Sequence, residues 1–319
     1  MRYELAPLEG ITGTIFRRSF HECFTPFDRC YTPFLTPTQD RLITARMWSE
    51  IDPAQNEGMD LVPQLLCNQA DLFVWAAEEL QKLGYQEVNL NLGCPSGTVV
   101  KKKKGSGLLG ELNMLERMLD EIFSHCPISV SIKTRVGLRN EEELTRLLEI
   151  YNRYPIACLI VHPRIQADQY KGDIRMSAFA EVMNTALAPV CSNGDLFLPE
   201  DVEQMQCVYP SLPALMFGRG AIANPGLIGY LKTGKWAEVS QVEQFHELLL
   251  SRYQAAMPGR KPTLFKMQEV WTYLACMFDA AEKPLKRLRH AATISEFDEA
   301  AKMILRTCPF VPDASYRKL

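Results

Sequence analysis

The stretch EVNLNLGCPSGTVVKKKKGSGLL, residues 87–109, decides how the rest of the chain is read. Glu87–Asn91 has the composition of a short β-strand, and the strand runs out into a Gly93-Cys94-Pro95 turn followed by four consecutive lysines. Seven other β-rich runs share this form: Tyr3–Ala6, Arg29–Thr32, Leu61–Leu66, Ser129–Thr134, Ala157–Val161, Pro189–Ser192 and Ala214–Phe217. Successive starts fall about 25 to 42 residues apart, room each time for a strand, a helix and two loops. Eight βα units predict an α/β fold of the (β/α)8 TIM-barrel type. A doubly wound sheet would alternate in the same way, so the polar residues have to discriminate. Glu9, Gln64, Asn91, Cys94, Lys133, Arg135, His162, Asn193 and Gly218-Arg219-Gly220 all fall at or just beyond the carboxyl end of an expected strand. In a barrel those ends share one face, where active sites lie.

From about Ser240 the pattern becomes helical only. Phe245, Leu248, Leu249 and Tyr253, then Phe265, Val270, Tyr273, Leu274 and Met277, recur at helical spacing. Ser240 with Glu243 and Ser295 with Asp298 have the spacing of capping boxes. The expected organisation is a barrel over 1–237 and a small C-terminal helical bundle over 238–319. The Thr36–Asp60 connection, with its DPAQNEG segment, is read as a mobile loop over the site.

Composition narrows the classes. A chain of 319 residues with 47% hydrophobic content reads as globular, and no apolar run has the length of a signal peptide or a membrane span. Ten scattered cysteines without a CxxC pair give neither a disulfide framework nor a zinc site, so a reducing cytoplasm and no metal are expected. The net charge of −3 provides no global attraction to nucleic acid. It is unevenly placed: residues 238–319 carry twelve Lys and Arg against ten Asp and Glu, and the rest of the chain 23 against 28.

Each candidate group has a plain reading beside its functional one. Gly218-Arg219-Gly220, with Asn193-Gly194, stands where barrels commonly hold a phosphate, yet such a sequence is also a common turn. Lys133 could close an ion pair with Glu9 or Asp195, and His162 could be a satisfied strand-end histidine. With Gln64 and Asn91 these residues also form a set of convergent donors suited to a flavin, a planar heterocycle carrying one phosphate. A thiol of ordinary acidity, pKa roughly 8.5, is mostly protonated at neutral pH, so Cys94 suits a general acid better than a nucleophile. Most cysteines are small buried hydrophobes, the role read for Cys158 and Cys207. Lys101, Lys102, Lys103 and Lys104 form either a solvated loop or a guide for a polyanion, with Gly105 and Gly107 leaving the backbone free to move. In a helical tail, Lys283, Lys286, Arg287 and His290 would share one basic face, solvated or bound to RNA.

The motifs LAPLEG, PQLL, NLNLGCPSGTVVKKKKGSGLL, SIKTRVG, LIVHPR with QYKG, SNGD and MFGRGAIANP occur in this order over roughly residues 5–226. Together they closely resemble the tRNA-dihydrouridine synthases. Pro163 stands where many relatives have glycine, and relatives often have two lysines in place of four. The resemblance implies an FMN enzyme that reduces the C5–C6 double bond of selected tRNA uridines, with NADPH as the hydride source and a helical tRNA-recognition domain. It implies that Pro7, Leu8 and Glu9 lie along the flavin and that Gln64, Lys133 and His162 hold its ring and ribityl chain. Asn193, Gly194, Asp195, Gly218 and Arg219 would surround the phosphate. Cys94 would protonate uracil C5, with Asn91 near the base and Arg135 and Tyr170 placing the RNA. A monomer with tRNA and NADPH as partners is expected. Two rivals share some of these features: an FMN barrel oxidoreductase acting on a free pyrimidine, in the manner of a dihydroorotate dehydrogenase, and a non-catalytic RNA-binding protein.

Overall fold

Strand β1 (Arg2–Leu5) pairs in parallel with β2 (Arg29–Tyr31), and β2 pairs with β3 (Leu61–Val62). The chain then crosses Pro63 into β4 (Gln64–Leu65), which pairs with β5 (Glu87–Leu92). The series continues through β6 (Ser129–Gly137), β7 (Leu159–Ile165), β8 (Val190–Asn193) and β9 (Ala214–Phe217). The sheet order is β3-β2-β1-β9-β8-β7-β6-β5-β4. Because the two outermost members are consecutive in the chain, the sheet is a nearly closed barrel of eight staves. The stave expected over Leu61–Leu66 is split because Pro63 has no N–H to give to a ladder, although its carbonyl still accepts from Asn89 N at 2.9 Å. This computed structural model describes residues 1–257 and 259–316; Pro258 and the last three residues of the expected 238–319 bundle lie outside the described residues.

Two compact units make up the chain. The first comprises Met1–Pro7, Asp28–Gly194 and Tyr209–Met216; the second comprises Leu8–Phe27, Asp195–Val208 and Phe217–Leu319. In the first unit the barrel interior packs Ala6, Tyr31, Val62, Cys158, Ile160, Cys191, Ala214 and Met216. Glu4 is fully buried among them, accepting from Tyr31 Oη at 3.1 Å, and burial raises its carboxyl pKa. The helices turn apolar stripes inward: Leu72, Phe73, Ala76, Ala77 and Leu80 of Ala70–Lys82 are all buried, at the spacing one helix face requires. Thr36–Asp60 departs from the expectation. It contains the helix Ala45–Ile51 and the 3-10 turn Pro53–Gln55, where Asp52 Oδ1 caps Ala54 N and Asn56 Nδ2 donates to two carbonyls. Pro53, Asn56 and Met59 line a cleft of about 450 Å³ with Arg29, Glu87 and Ser129, the first residues of their strands. The second half of Thr36–Asp60, from Pro53 on, therefore lies at the amino ends of the strands, whereas Gln39 and Arg41 bond Gln69 and Asp71 beyond the carboxyl end of β4.

In the second unit the tail forms the helices Val239–Ala256, Arg260–Leu274, Glu282–His290 and Ile294–Thr307. The start signals of the first and last of these sit two residues before the expected ones. Glu238 N is capped by Gln241 Oε1 at 3.0 Å, and Thr293 Oγ1 accepts from Glu296 N at 3.2 Å. Phe265 is 65% exposed, and the buried stripe runs through Leu264, Met267, Val270, Trp271 and Leu274. Asp298, freed from a capping role, accepts from His246 Nε2 at 3.0 Å, while Trp271 Nε1 donates to His246 Nδ1 at 3.1 Å. Indole N–H can only donate, so Nδ1 accepts from Trp271 and Nε2 faces the carboxylate.

That bond, helped by Lys302 at 2.9 Å, holds the Asp298 carboxyl down to about 2. A depressed carboxyl stabilises the fold above its unfolded value near 3.8, and the stabilisation is lost as the pH falls through the window from 3.8 to about 2. Asp298→Asn is expected to lower stability at pH 6 by about 1–2 kcal/mol and to flatten stability across that acid window. Urea titrations at pH 6 and through the acid range measure both. Among the described residues, no helix is long and apolar enough to cross a membrane.

Candidate active site

Cys94 follows β5 by two residues and is half-buried, in a turn fixed by hydrogen bonds to main-chain atoms. Asn91 Oδ1 accepts from Gly93 N at 3.1 Å and from Cys94 N at 2.9 Å. Ser106 Oγ donates to Cys94 O at 2.7 Å, Arg135 Nε to Gly93 O at 2.9 Å, and Gln166 Nε2 to Pro95 O at 3.0 Å. Asn91 is itself held by a carboxamide ladder across the barrel. Its Nδ2 donates to Gln64 Oε1 at 2.7 Å, Gln64 Nε2 donates to Asn89 Oδ1 at 2.8 Å, and Asn89 Nδ2 donates to Ser131 Oγ at 2.9 Å. Such a ladder defines one orientation for every amide in it. Asn89, Ser106 and Gln166 were not singled out from the sequence.

The other cysteines differ in setting. Cys67 and Cys158 are buried, which pushes both thiols up to about 12, and burial raises Cys191 well above the ordinary range. Cys207, expected to be buried, is exposed.

The lysine run is an anchored hairpin. Residues Gly97–Val100 make one helical turn, Lys103 takes φ +51°, and Asn68 Nδ2 donates to Lys102 O at 3.0 Å. Lys101, Lys102 and Lys103 are exposed, Lys104 is half-buried, and Lys103 pairs with Glu111 at 2.9 Å. Gly105 and Gly107 do not loosen this loop; they let it pack. At Gly105, with φ +55°, a Cβ would stand 2.9 Å from Cys94 Cβ and 3.0 Å from Cys94 O. Gly105→Ala combines left-handed strain with that collision, so it is expected to cost about 1–3 kcal/mol and to slow turnover by displacing Cys94. Thermal melts together with steady-state rates measure the two effects.

Lys133 shares a rung with Asn91 and Ile160 on β6. Within the first unit Lys133 has no carboxylate partner or hydrogen bond among the described residues, and within the second Asp195 pairs with Arg219 at 2.8 Å. Burial first, and the Arg135 charge second, bring its amine down to about 8. His162 is 6% exposed, and its Nε2 lies 3.0 Å from Arg164 Nη1. A guanidinium only donates, so His162 accepts at Nε2 and carries its proton on Nδ1. Arg164, also missed from sequence, is 1% exposed and donates as well to Lys171 O and Gly172 O, tying the 166–173 loop to the imidazole. Tyr170 stacks on His162 with centroids 6.1 Å apart, and Arg135 lies 5.3 Å from the Tyr170 ring centroid. Tyr170 is 45% exposed, whereas Arg135 is 1% exposed and also bonds Ile165 O at 3.0 Å. Arg135 thus holds the turn of Cys94.

Asn193 Nδ2 donates to Met216 O at 2.9 Å. Gly194 has φ +146°, and a Cβ there would come within 3.0 Å of His162 Cδ2. Of the remaining expected flavin residues, Pro7 belongs to the first unit and Leu8, Glu9, Asp195, Gly218 and Arg219 to the second. Pro7 and Leu8 are half-buried and Glu9 is exposed. Leu8 N donates to Thr12 Oγ1 at 2.8 Å, fixing the loop. On the helix Glu282–His290, Lys283, Lys286, Arg287 and His290 are all exposed, and so is Arg289, while Leu285 and Leu288 are buried.

A nearly closed parallel barrel that gathers a thiol, an ammonium without a carboxylate partner and an imidazole at the carboxyl ends of its strands defines a barrel enzyme. Solved structures agree on the fold: an old yellow enzyme from Trypanosoma cruzi superimposes with a TM-score of 0.52 at 13% identity, covering 76% of this chain and 91% of that one. Morphinone reductase does so with a TM-score of 0.52 at 12% identity, covering 76% and 90%. Residues 4–304 match the family model for dihydrouridine synthase, and the chain belongs to that family. It is an oxidoreductase that reduces uridine in tRNA to dihydrouridine. A tRNA-dihydrouridine(16) synthase of Shewanella oneidensis is 25% identical over 93% of this chain and 96% of its own length. One from Neisseria meningitidis is 26% identical, with 95% and 93% covered. A Synechocystis protein described as tRNA-dihydrouridine synthase 1 is 30% identical over 72% of this chain, which spans 65% of that relative.

Proposed function

We propose that this protein reduces uridine 16 of tRNA with FMN as its bound cofactor and NADPH as reductant, acting as a cytoplasmic monomer. The position follows the two relatives matched over more than nine-tenths of this chain, both named for it. The observation that carries the chemistry is the placement of Cys94, fixed by main-chain bonds at the mouth of a barrel whose nearby polar groups are donors.

The residues fit a flavin. Lys133 offers an ammonium, His162 an Nδ1–H and Arg219 a guanidinium, as carbonyl oxygens, ring nitrogens and a phosphate require. Gln64, Lys133 and His162, with Pro7, Leu8 and Glu9, are assigned to the ring and ribityl chain. Asn193, Gly194, Asp195, Gly218 and Arg219 are assigned to the phosphate end. Bound there and reduced, FMN would supply the hydride chemistry at uracil C6. The Cys94 thiol gives its proton to C5 on the other side of the same bond, and the thiolate is reprotonated from solvent. Asn91 keeps the thiol in place by holding the two backbone N–H groups before it. A uridine stacked in folded tRNA must be turned out to reach such a site.

Exposed Lys101, Lys102 and Lys103, with Lys104, are assigned to the RNA backbone, and Tyr170 to the RNA near the site. The helical region from Glu238 onward is assigned to tRNA recognition through Lys283, Lys286, Arg287 and His290. The test is incubation of unmodified tRNA with protein, FMN and NADPH, followed by mass spectrometry of nuclease fragments. A gain of two hydrogens at position 16 is expected. A gain at another uridine overturns the position, and none at all, with flavin bound, overturns the reading.

A further inference from the structure

The second unit contains an aromatic row beside Arg219 that the reading above does not use. Phe197 and Tyr316 stack with ring centroids 5.3 Å apart and planes 28° from parallel. Tyr273 continues the row, 5.6 Å from Tyr316 at 27°. The Arg219 guanidinium carbon lies 5.5 Å from the Phe197 centroid and 5.3 Å from that of Tyr316. Its Nη2 donates to Asp195 Oδ1 at 2.8 Å. A free arginine side chain samples many rotamers, and each one frozen before a ligand arrives is a cost removed from binding. Two ring faces and a carboxylate confine this one to a single orientation.

Tyr316 is held where it is by the segment before it. Val311 N donates to Met277 O at 2.8 Å, and Asn224 Nδ2 donates to both Pro312 O and Ala314 O at 2.9 Å. Ala314 is 3% exposed. Asn224 itself ends the short helix Arg219–Ala223, so the segment and the arginine are fixed to the same piece of backbone.

We infer that Tyr316 is a positioning residue for the cofactor phosphate: the 311–316 segment docks against the turn after Arg219 and orients its guanidinium for a phosphomonoester. The inference rests on the assignment of Arg219 to the FMN phosphate. Tyr316 touches no reacting atom, and its effect passes through Arg219.

The experiment compares full-length flavin-free protein and its Tyr316→Leu, Tyr316→Phe and Arg219→Met variants, titrated with FMN and with riboflavin, which lacks the phosphate. Quenching of flavin fluorescence gives each affinity. Tyr316→Leu preserves bulk but removes the ring face, so FMN affinity should fall about tenfold while riboflavin affinity stays within about twofold. Tyr316→Phe should restore FMN affinity, since it keeps the face. Unchanged FMN affinity in Tyr316→Leu, beside a loss in Arg219→Met, overturns the inference and leaves the phosphate assignment standing. An equal loss of FMN and riboflavin also overturns it, because it marks a purely structural residue. Unchanged FMN affinity in Arg219→Met removes the phosphate assignment and the inference with it.

Discussion

Cys94→Ala is expected to lower dihydrouridine formation by at least about 10²-fold, the scale on which a positioned general acid contributes. Flavin content and melting temperature should stay close to wild type. The reason lies in how the turn is held: Asn91, Ser106, Arg135 and Gln166 bond to the backbone N–H and carbonyl groups of Gly93, Cys94 and Pro95, and alanine keeps all of those. The proton source is lost. Cys94→Ser should be nearly as slow, because a hydroxyl in the same place is a far weaker acid than a thiol. Single-turnover reaction of reduced protein with tRNA isolates the chemical step from cofactor reduction. If Cys94→Ala retains its rate within about threefold there, the proton comes from elsewhere and the role assigned to Cys94 is wrong.

The eight staves were legible because each is a short β-rich run closed by polar or glycine residues, a purely local signal. The break at Pro63 was equally local, but a proline reads as an ordinary strand end until both neighbouring ladders are seen. Cys94, Lys133 and His162 could be found because position along a stave fixes which end of the barrel a residue occupies. Ser106 and Gln166 could not, since they act 12 and 71 positions away through carbonyl groups that every residue has. Arg164 was hidden for another reason. Two residues after His162 in an exposed-looking motif, it reads as a surface charge, and only its burial shows that it sets the imidazole tautomer. The glycines after the lysines were misread because freedom and close packing require the same residue; Gly105 is there for what it lets approach. In the tail, Ser and Asp occur at several plausible cap positions, and Asp298 was already committed to His246.

Lys133→Met is expected to make the flavin-free protein more stable and the enzyme worse. Burial and the neighbouring Arg135 bring the Lys133 amine from 10.5 down to about 8, so at neutral pH the fold holds an ammonium in a place that disfavours its charge. That lowering corresponds to roughly 3 kcal/mol, and solvent at this half-buried side chain reduces it to about 2 kcal/mol. The folded value lies below the unfolded one. Between about 8 and 10.5 the unfolded chain therefore binds more protons, and stability attributable to this group rises with pH across that window. Methionine has similar bulk and no charge, so the variant should gain about 2 kcal/mol at pH 7 and lose the rise between pH 8 and 10.5. Urea titrations of flavin-free protein at pH 7 and pH 10 measure both. On the proposed assignment of Lys133 to the flavin, the same substitution should weaken flavin binding and slow turnover by about tenfold or more, because a cation there would stabilise the negative charge that reduction adds. Stability given up for an ammonium without a carboxylate partner makes sense only where a ligand later supplies the missing charge. A variant less stable than wild type at pH 7 would show that Lys133 is already satisfied in the free protein, and its assignment to the cofactor would then have no basis in the fold.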